Sequence, residues 1–287
     1  SSDVCSSDLD KVRLTGGEPL LRRDLPVLIA RLARRPRIRD LAMTTNGVFL
    51  ADAAEALRGA GLHRITVSLD TLQSDRFARL ARFDERDRVI AGIQAASRVF
   101  GELKIDSVII RGTNDDELVD LIEFGRANRA EVRFIEYMDV GGATQWSMNQ
   151  VLPAADMRAR LATRYGAVEP IPDESSAPAR RFRLPDGTTF GIIASTTQPF
   201  CRDCDRSRLT ADGLWYLCLY STAGVDLRKV VRSGASPAEV ADLLRQHWEA
   251  RQDRGAEARL ATGSRAPLIP IDRLRRDPHL EMHTRGG

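Results

Sequence analysis

The sequence has 287 residues, 43% hydrophobic and 29% charged, with 43 basic against 40 acidic side chains and a formal net charge of +3. That length suits two domains of roughly 150 residues each; the charge balance excludes a polybasic nucleic-acid arm and an acidic disordered chain; no apolar run could span a bilayer and no secretory signal is present. Four cysteines are too few for a small disulfide scaffold, so a cytoplasmic globular protein with neither nucleic-acid nor membrane partners is expected. Lys occurs only at Lys11, Lys104 and Lys229. Arg suits phosphate through its planar fork, but genome-wide codon bias accounts for such an excess equally well, and each arginine has to be argued from its position.

The chain opens without Met, and Ser1–Val4 is nearly repeated as Ser6–Leu9 around Cys5. Residues 1–9 are read as a foreign leader on a truncated protein, outside the fold. From there, short apolar or β-branched runs predict strands at Lys11–Thr15, Asp40–Thr44, Arg64–Leu69, Lys104–Ile110 and Glu131–Tyr137. Helical periodicity fills the gaps at Asp24–Ala33, Asp52–Ala60, Arg86–Phe100 and Asp116–Ala127, with N-caps expected at Asp52 and at Asn114 or Asp115. Alternating strands and helices make a parallel sheet, open or closed into a barrel, with ligands at the carboxyl ends of its strands. Those ends read Gly16-Gly17-Glu18-Pro19, Thr45-Asn46-Gly47, Ser68-Leu69-Asp70, Arg111-Gly112 and Met138-Asp139, polar and in part glycine-containing, as one shared pocket requires.

After Gly141-Gly142 the rhythm changes, and a domain boundary is placed near residue 145. A helix is predicted at Ala154–Tyr165, a linker at Ile171–Ala179, strands at Arg181–Leu184 and Thr188–Ala194, a hairpin turning at Ala211-Asp212-Gly213, and a last amphipathic helix from Ser236-Pro237 to about Arg251.

Cys201-Arg202-Asp203-Cys204 is a C-x-x-C, and the hairpin can fold Cys218 back towards it. Three thiolates invite a metal. Zinc normally closes its site with a fourth ligand, whereas a cubane held by three cysteines keeps one iron open for a substrate atom; by chemistry alone iron–sulfur and zinc stay level. A redox pair would need a thioredoxin-like context that is absent. Arg206 and Arg208, two apart beyond Cys204, point the same way in an extended segment and form a candidate phosphate clamp, against the plainer reading of a solvated strand face. Lys11 and Arg13 are expected to face the barrel interior, as unpaired functional cations or in a buried ion pair with Glu136 or Asp70.

These motifs resemble the GTP 3′,8-cyclase family of radical S-adenosylmethionine (SAM) enzymes, which opens molybdenum cofactor biosynthesis. The resemblance runs from about Asp10 to Gly287 and rests on Lys11–Asp24, Thr44–Gly47, Ile65–Asp70, Arg111–Asp116, Arg133–Asp139, Cys201–Leu209 and the terminal Gly286-Gly287. It implies an α/β fold: an incomplete parallel (βα)6 barrel over 10–145 and a smaller α+β domain over 146–287 carrying an auxiliary [4Fe–4S] cluster on Cys201, Cys204 and Cys218. It further implies conversion of GTP to (8S)-3′,8-cyclo-7,8-dihydroguanosine 5′-triphosphate. GTP contacts are implied at Lys11, Arg13, Thr44, Arg111, Arg206, Ser207 and Arg208, and SAM contacts at Gly16, Gly17, Glu18, Ser68 and Met138. Gly286 and Gly287 are implied to enter the active site and serve cyclisation. The product would pass to cyclic pyranopterin monophosphate synthase, and a homodimer is a candidate assembly. A second [4Fe–4S] cluster, on C-x-x-x-C-x-x-C, belongs to the family, but its ligands are absent from these residues. The chain is therefore expected to be inactive as it stands. Two other readings are another radical SAM maturase with an auxiliary cluster, which would usually carry more cysteines, and a nucleotide-binding module with structural zinc.

Overall fold

The computed structural model describes residues 9–141, 143, 145–172, 176–202, 204–262 and 265–285, without the side chains of Pro278, His283 and Arg285. Cys5 and most of the expected leader, Gly142, Asp203, part of the predicted linker and the Gly286-Gly287 tail lie outside the described residues.

Six strands run parallel: β1 (Lys11–Leu14), β2 (Asp40–Thr45), β3 (Arg64–Ser68), β4 (Leu103–Ile109), β5 (Ala130–Glu136) and, beside β5, β8 (Thr189–Ile193). Antiparallel β7 (Arg180–Arg183) and β6 (Glu169–Pro170) complete an eight-stranded sheet, so this sheet runs across the boundary placed near residue 145.

The strands alternate, as β4 shows. Leu103, Ile105 and Ile109 are buried, while Lys104, Asp106 and Val108 between them are half-buried. The apolar face packs on α1 (Leu25–Ala33), α2 (Leu50–Gly59), α4 (Arg86–Val99), α5 (Leu118–Ala127) and α6 (Ala154–Tyr165), whose Ile29, Leu57, Ile93, Leu121 and Met157 join one core with Met43, Ile65, Ile105, Phe134 and Phe190. At Gly92 in α4 a Cβ would run into the Gly47 carbonyl, so glycine lets this helix lie directly on the turn after β2.

A separate three-stranded sheet holds β9 (Arg208–Leu209), β10 (Leu214–Tyr216) and β11 (Val225–Asp226). The predicted hairpin is there, with Gly213 at φ +93 in its turn. Then come α7 (Leu227–Arg232) and α8 (Pro237–Glu249), the latter opened by a capping box of Ser236 and Glu239. α8 is not the last helix, since α9 (Gly255–Leu260) and α10 (Ile271–Arg276) follow it. No helix of the described residues is long and apolar enough to cross a membrane.

The sequence reading also missed α3 (Ser74–Ala81) and misplaced two caps. α2 starts at Leu50, two residues earlier, with Phe49 at its N-cap, which leaves Asp52 inside its first turn; Asn46 Oδ1 accepts from the Val48 amide in the turn before it. Asn114 cannot cap α5 because its amide is spent on the Ile110 amide and on the Val108 and Asp70 carbonyls, and Asp115 accepts from the Gly112 amide; Glu117 holds the N-cap position.

Candidate active site

The parallel register places Lys11, Arg13, Asp40, Thr44, Arg64, Thr66, Ser68, Lys104, Asp106, Glu131 and Arg133 on the face of the sheet opposite the helices. Three arginines there are matched by carboxylates. Arg64 is held by Asp40, Arg133 meets Asp106 through two bonds of 2.7 and 2.9 Å, and Arg181 reaches Glu131 at 2.7 Å. Gly191 makes room for Arg133, for a Cβ there would stand 3.1 Å from its Cγ. Arg13 is different. Its Nη1 donates to Thr44 Oγ1 at 2.9 Å and to Thr66 Oγ1 at 3.1 Å, and it forms no ion pair among the described residues. Arg13 stays accessible to solvent on the edge strand, yet its guanidinium is crowded: desolvation first, then the charge of Arg133, pushes its pKa down to about 10. Lys104, on the same face, is lowered by burial and by Arg133; Lys11 is exposed.

Neither carboxylate considered for Arg13 is its partner. Glu136, fully buried at the end of β5, accepts from the amides of Ala154 at 2.8 Å, Thr196 at 3.0 Å and Thr197 at 2.8 Å, and from the Thr197 hydroxyl at 2.6 Å. It fastens β5 to the start of α6 and to the loop after β8, and has nothing left for a cation. Asp70 accepts from the Val108 amide at 2.8 Å, and burial raises its pKa to about 6, with Asp106 adding to the shift.

The Gly16-Gly17 backbone is open, with nothing within 4 Å of where either Cβ would stand, and Gly16 has φ +139. The Glu18 carboxylate is committed to Thr45 Oγ1 and the Asn46 amide, both at 2.7 Å, and to the Leu20 amide at 3.0 Å. It braces the ends of β1 and β2, and the Glu18 carbonyl accepts from the Leu21 amide at 3.2 Å. Ser68 is exposed and Met138 half-buried at the ends of β3 and β5. Arg111 is turned to the side, where it bonds the Val151 carbonyl at 3.2 Å and Asp156 at 3.0 Å.

Beyond β8, Cys201, Cys204 and Cys218 are half-buried free thiols. Arg206 stacks over Phe200 at 4.9 Å, sends Nη2 to Cys204 Sγ at 3.4 Å, and keeps a buried Nε without a partner among the described residues. Arg251 donates to the Cys204 carbonyl at 2.9 Å. Burial would raise the Cys204 thiol, but hydrogen bonds and charge from Arg206, with help from Arg251, bring it below its usual value. Arg208 is pushed down to about 10 by burial and then by Arg206, with Cys204 and Cys218 pulling the other way. Ser207 is exposed between them. This donor set of soft thiols, one of them lowered in pKa, matches an iron–sulfur cluster or zinc in chemistry. Among the described residues no three ligand side chains come close enough together to hold a metal ion, so chemistry rather than geometry carries that match.

A hub that strand-end patterns did not reveal lies one residue past Met138. Asp139, fully buried, receives Arg259 Nε at 2.8 Å, Arg265 Nη2 at 3.3 Å and the Tyr220 hydroxyl at 3.2 Å.

The model of the radical SAM superfamily matches residues 5–125, and that of the molybdenum cofactor synthesis C-terminal domain matches residues 130–257. A GTP 3′,8-cyclase 3 of Mycobacterium bovis is 58% identical over 284 residues, which are 97% of this chain and 75% of that protein. A GTP 3′,8-cyclase 1 of Mycobacterium tuberculosis is 55% identical, covering 98% of this chain and 80% of its own length. Among solved structures, Streptococcus suis SuiB aligns with a TM-score of 0.53 at 15% identity, over 81% of this chain and 57% of SuiB, a likeness of fold alone.

Proposed function

The chain belongs to the GTP 3′,8-cyclase family of the radical SAM superfamily, and on that footing we propose that it binds GTP between the polar face of its sheet and the cysteine-bearing loop. The observation that carries this reading is a pair of crowded arginines. Arg13 and Arg208 each lack an ion pair among the described residues and each sit at a pKa of about 10, while Arg64, Arg133 and Arg181 are paired. Cations held without counter-charge favour an anionic ligand, and a triphosphate supplies one.

In this reading Arg13, with Thr44 and Lys11, and Arg206, Ser207 and Arg208 hold the nucleotide. Arg111 joins them on release from Asp156. The open Gly16-Gly17 backbone, the backbone at Glu18, Ser68 and Met138 receive SAM. Cys201, Cys204 and Cys218 would hold an auxiliary [4Fe–4S] cluster, which would supply a Lewis-acidic anchor for the guanine. Arg206, stacked on Phe200 beside Cys204, orients the base towards that anchor. Gly286 and Gly287 are assigned to cyclisation. We place the division near residue 145, with SAM held before it and GTP held from both sides of it, although β6, β7 and β8 pair into the barrel sheet. Beyond Cys201, Cys204 and Cys218 the sequence has one cysteine, Cys5, and no C-x-x-x-C-x-x-C. The steps assigned to these residues are therefore binding and orienting. The product of the family's reaction goes on to cyclic pyranopterin monophosphate synthase.

Calorimetry on anaerobically iron-loaded protein tests this. GTP should bind, and ATP should bind about tenfold or more weakly, because a polar site built for one base leaves groups unpaired with another. Equal affinities would reduce the arginines to a general anion site.

A further inference from the structure

We propose that Asp139 is a positioning residue that sets the place of Cys218 through Tyr220. The proposal rests on the reading above that Cys218 is one of three cluster ligands. Asp139 leaves the barrel sheet three residues after the end of β5, and none of its surface meets solvent. Its Oδ1 accepts from the Tyr220 hydroxyl at 3.2 Å, and Tyr220 is two residues beyond Cys218. Oδ2 is gripped by Arg259, Nε at 2.8 Å and Nη2 at 2.7 Å, while Arg265, itself nearly buried, meets Oδ1 at 3.3 Å and donates to the Thr196 carbonyl at 3.1 Å.

The arrangement around Cys218 is built, not incidental. Tyr220 and Cys218 both press on Gly255 at the start of α9, where a Cβ would overlap Tyr220 and stand 3.1 Å from Cys218 Sγ. The same helix carries Arg259, which grips Asp139. Cys218 is therefore boxed from two sides by elements that both end on one carboxylate. The hydroxyl of Tyr220 fixes the loop, and α9 fixes the wall behind the sulfur. The neighbouring backbone is fitted in the same way: at Gly141, φ +52, any Cβ would collide with the backbone of Met282. The cluster reading asks that a thiol on the far side of a hairpin be aimed at Cys201 and Cys204. A single buried carboxylate on the rigid barrel, holding both sides of the box, fixes where Cys218 stands.

The test reads Cys218 without needing a cluster. Metal-free chain is alkylated with iodoacetamide under native conditions, and the rates at Cys201, Cys204 and Cys218 are taken from peptide mass spectrometry of one sample. Tyr220→Phe removes only the hydroxyl, and Asp139→Asn removes the charge at constant shape. Both should speed alkylation of Cys218 by about tenfold relative to Cys201, with Asp139→Glu, which restores the charge, falling between Asn and wild type. Global loosening would accelerate all three thiols together, and that result, or an unchanged Cys218 to Cys201 ratio in both variants, overturns the proposal. The cluster reading is checked separately by iron bound per wild-type chain, so its failure leaves the alkylation result standing.

Discussion

Arg133 on β5 lies flat against Asp106 on β4, Nε to Oδ1 at 2.7 Å and Nη2 to Oδ2 at 2.9 Å, and this pair separates a structural arginine from the neighbouring Arg13. Only 10% of the Arg133 side chain and 18% of Asp106 meet solvent. Removing one partner strands the other in a place where water compensates poorly. Asp106→Ala should lower stability by about 2–4 kcal/mol, read from urea unfolding of the whole chain. It also leaves Arg13 facing a second unpaired cation. A variant as stable as wild type would show that the pair is no more than a surface contact.

The arginines proposed for GTP behave in the opposite way. Among the described residues the buried Nε of Arg206 has no partner, and Arg208 is crowded by Arg206. Charge-assisted bonds to phosphate or base are worth about 1.5–3 kcal/mol each, so Arg206→Ala should weaken GTP binding by about one to two orders of magnitude. Stability should hold, because a repelling cation is removed. Calorimetry of both proteins decides, and equal affinity would leave Arg206 only its contacts with Phe200 and Cys204.

The parallel sheet, its five covering helices and the hairpin were legible because their signals are local: apolar and β-branched runs such as Lys104–Ile110, glycine at Gly213, and Ser236-Pro237 at the start of α8. α3 was not, since Ser74–Ala81 is only eight residues long and rich in charge, and its narrow apolar face of Phe77, Leu80 and Ala81 buries only Phe77. The commitments of Glu136 and Asp139 were hidden for another reason. The partners of Asp139 lie 81, 120 and 126 residues away, and no spacing rule in one chain reaches so far. A carboxylate at a strand end looks the same in sequence whether it meets an arginine, as Asp139 does, or four backbone and hydroxyl donors, as Glu136 does.

Asp70 gives a pH signature. Its folded pKa is raised from 3.8 to about 6, chiefly by burial. A carboxyl whose folded pKa is raised costs stability when ionised. The cost is complete above about pH 6, shrinks as pH falls through 6, and is gone below the unfolded value near 4. Asp70→Asn keeps an acceptor for the Val108 amide and removes the charge. It should stabilise the protein at pH 8 by at most about 3 kcal/mol, and by nothing at pH 3.5. A gain that is the same at both pH values would assign the effect to packing instead.

Without a C-x-x-x-C-x-x-C, the 287 residues have no ligand set for the cluster that cleaves SAM. Anaerobic incubation with SAM and a strong reductant should yield no 5′-deoxyadenosine above a no-protein control. Turnover there would mean that other groups hold such a cluster.

The three-cysteine assignment can be tested apart from turnover. Cys201 and Cys204 are close in the chain, with the Cys204 amide donating to the Cys201 carbonyl at 3.3 Å, whereas Cys218 arrives by way of the hairpin. Two thiols alone hold a cubane poorly, so the third decides whether a cluster forms. Cys218→Ser replaces a thiolate with a hydroxyl that stays protonated and is a poor ligand for iron. After anaerobic reconstitution, wild-type protein should carry about four irons and four sulfides per chain, and the variant should lose most of both along with the charge-transfer absorbance. Zinc in place of iron would favour the nucleotide-binding module with structural zinc. Unchanged iron in the variant would remove Cys218 from the site.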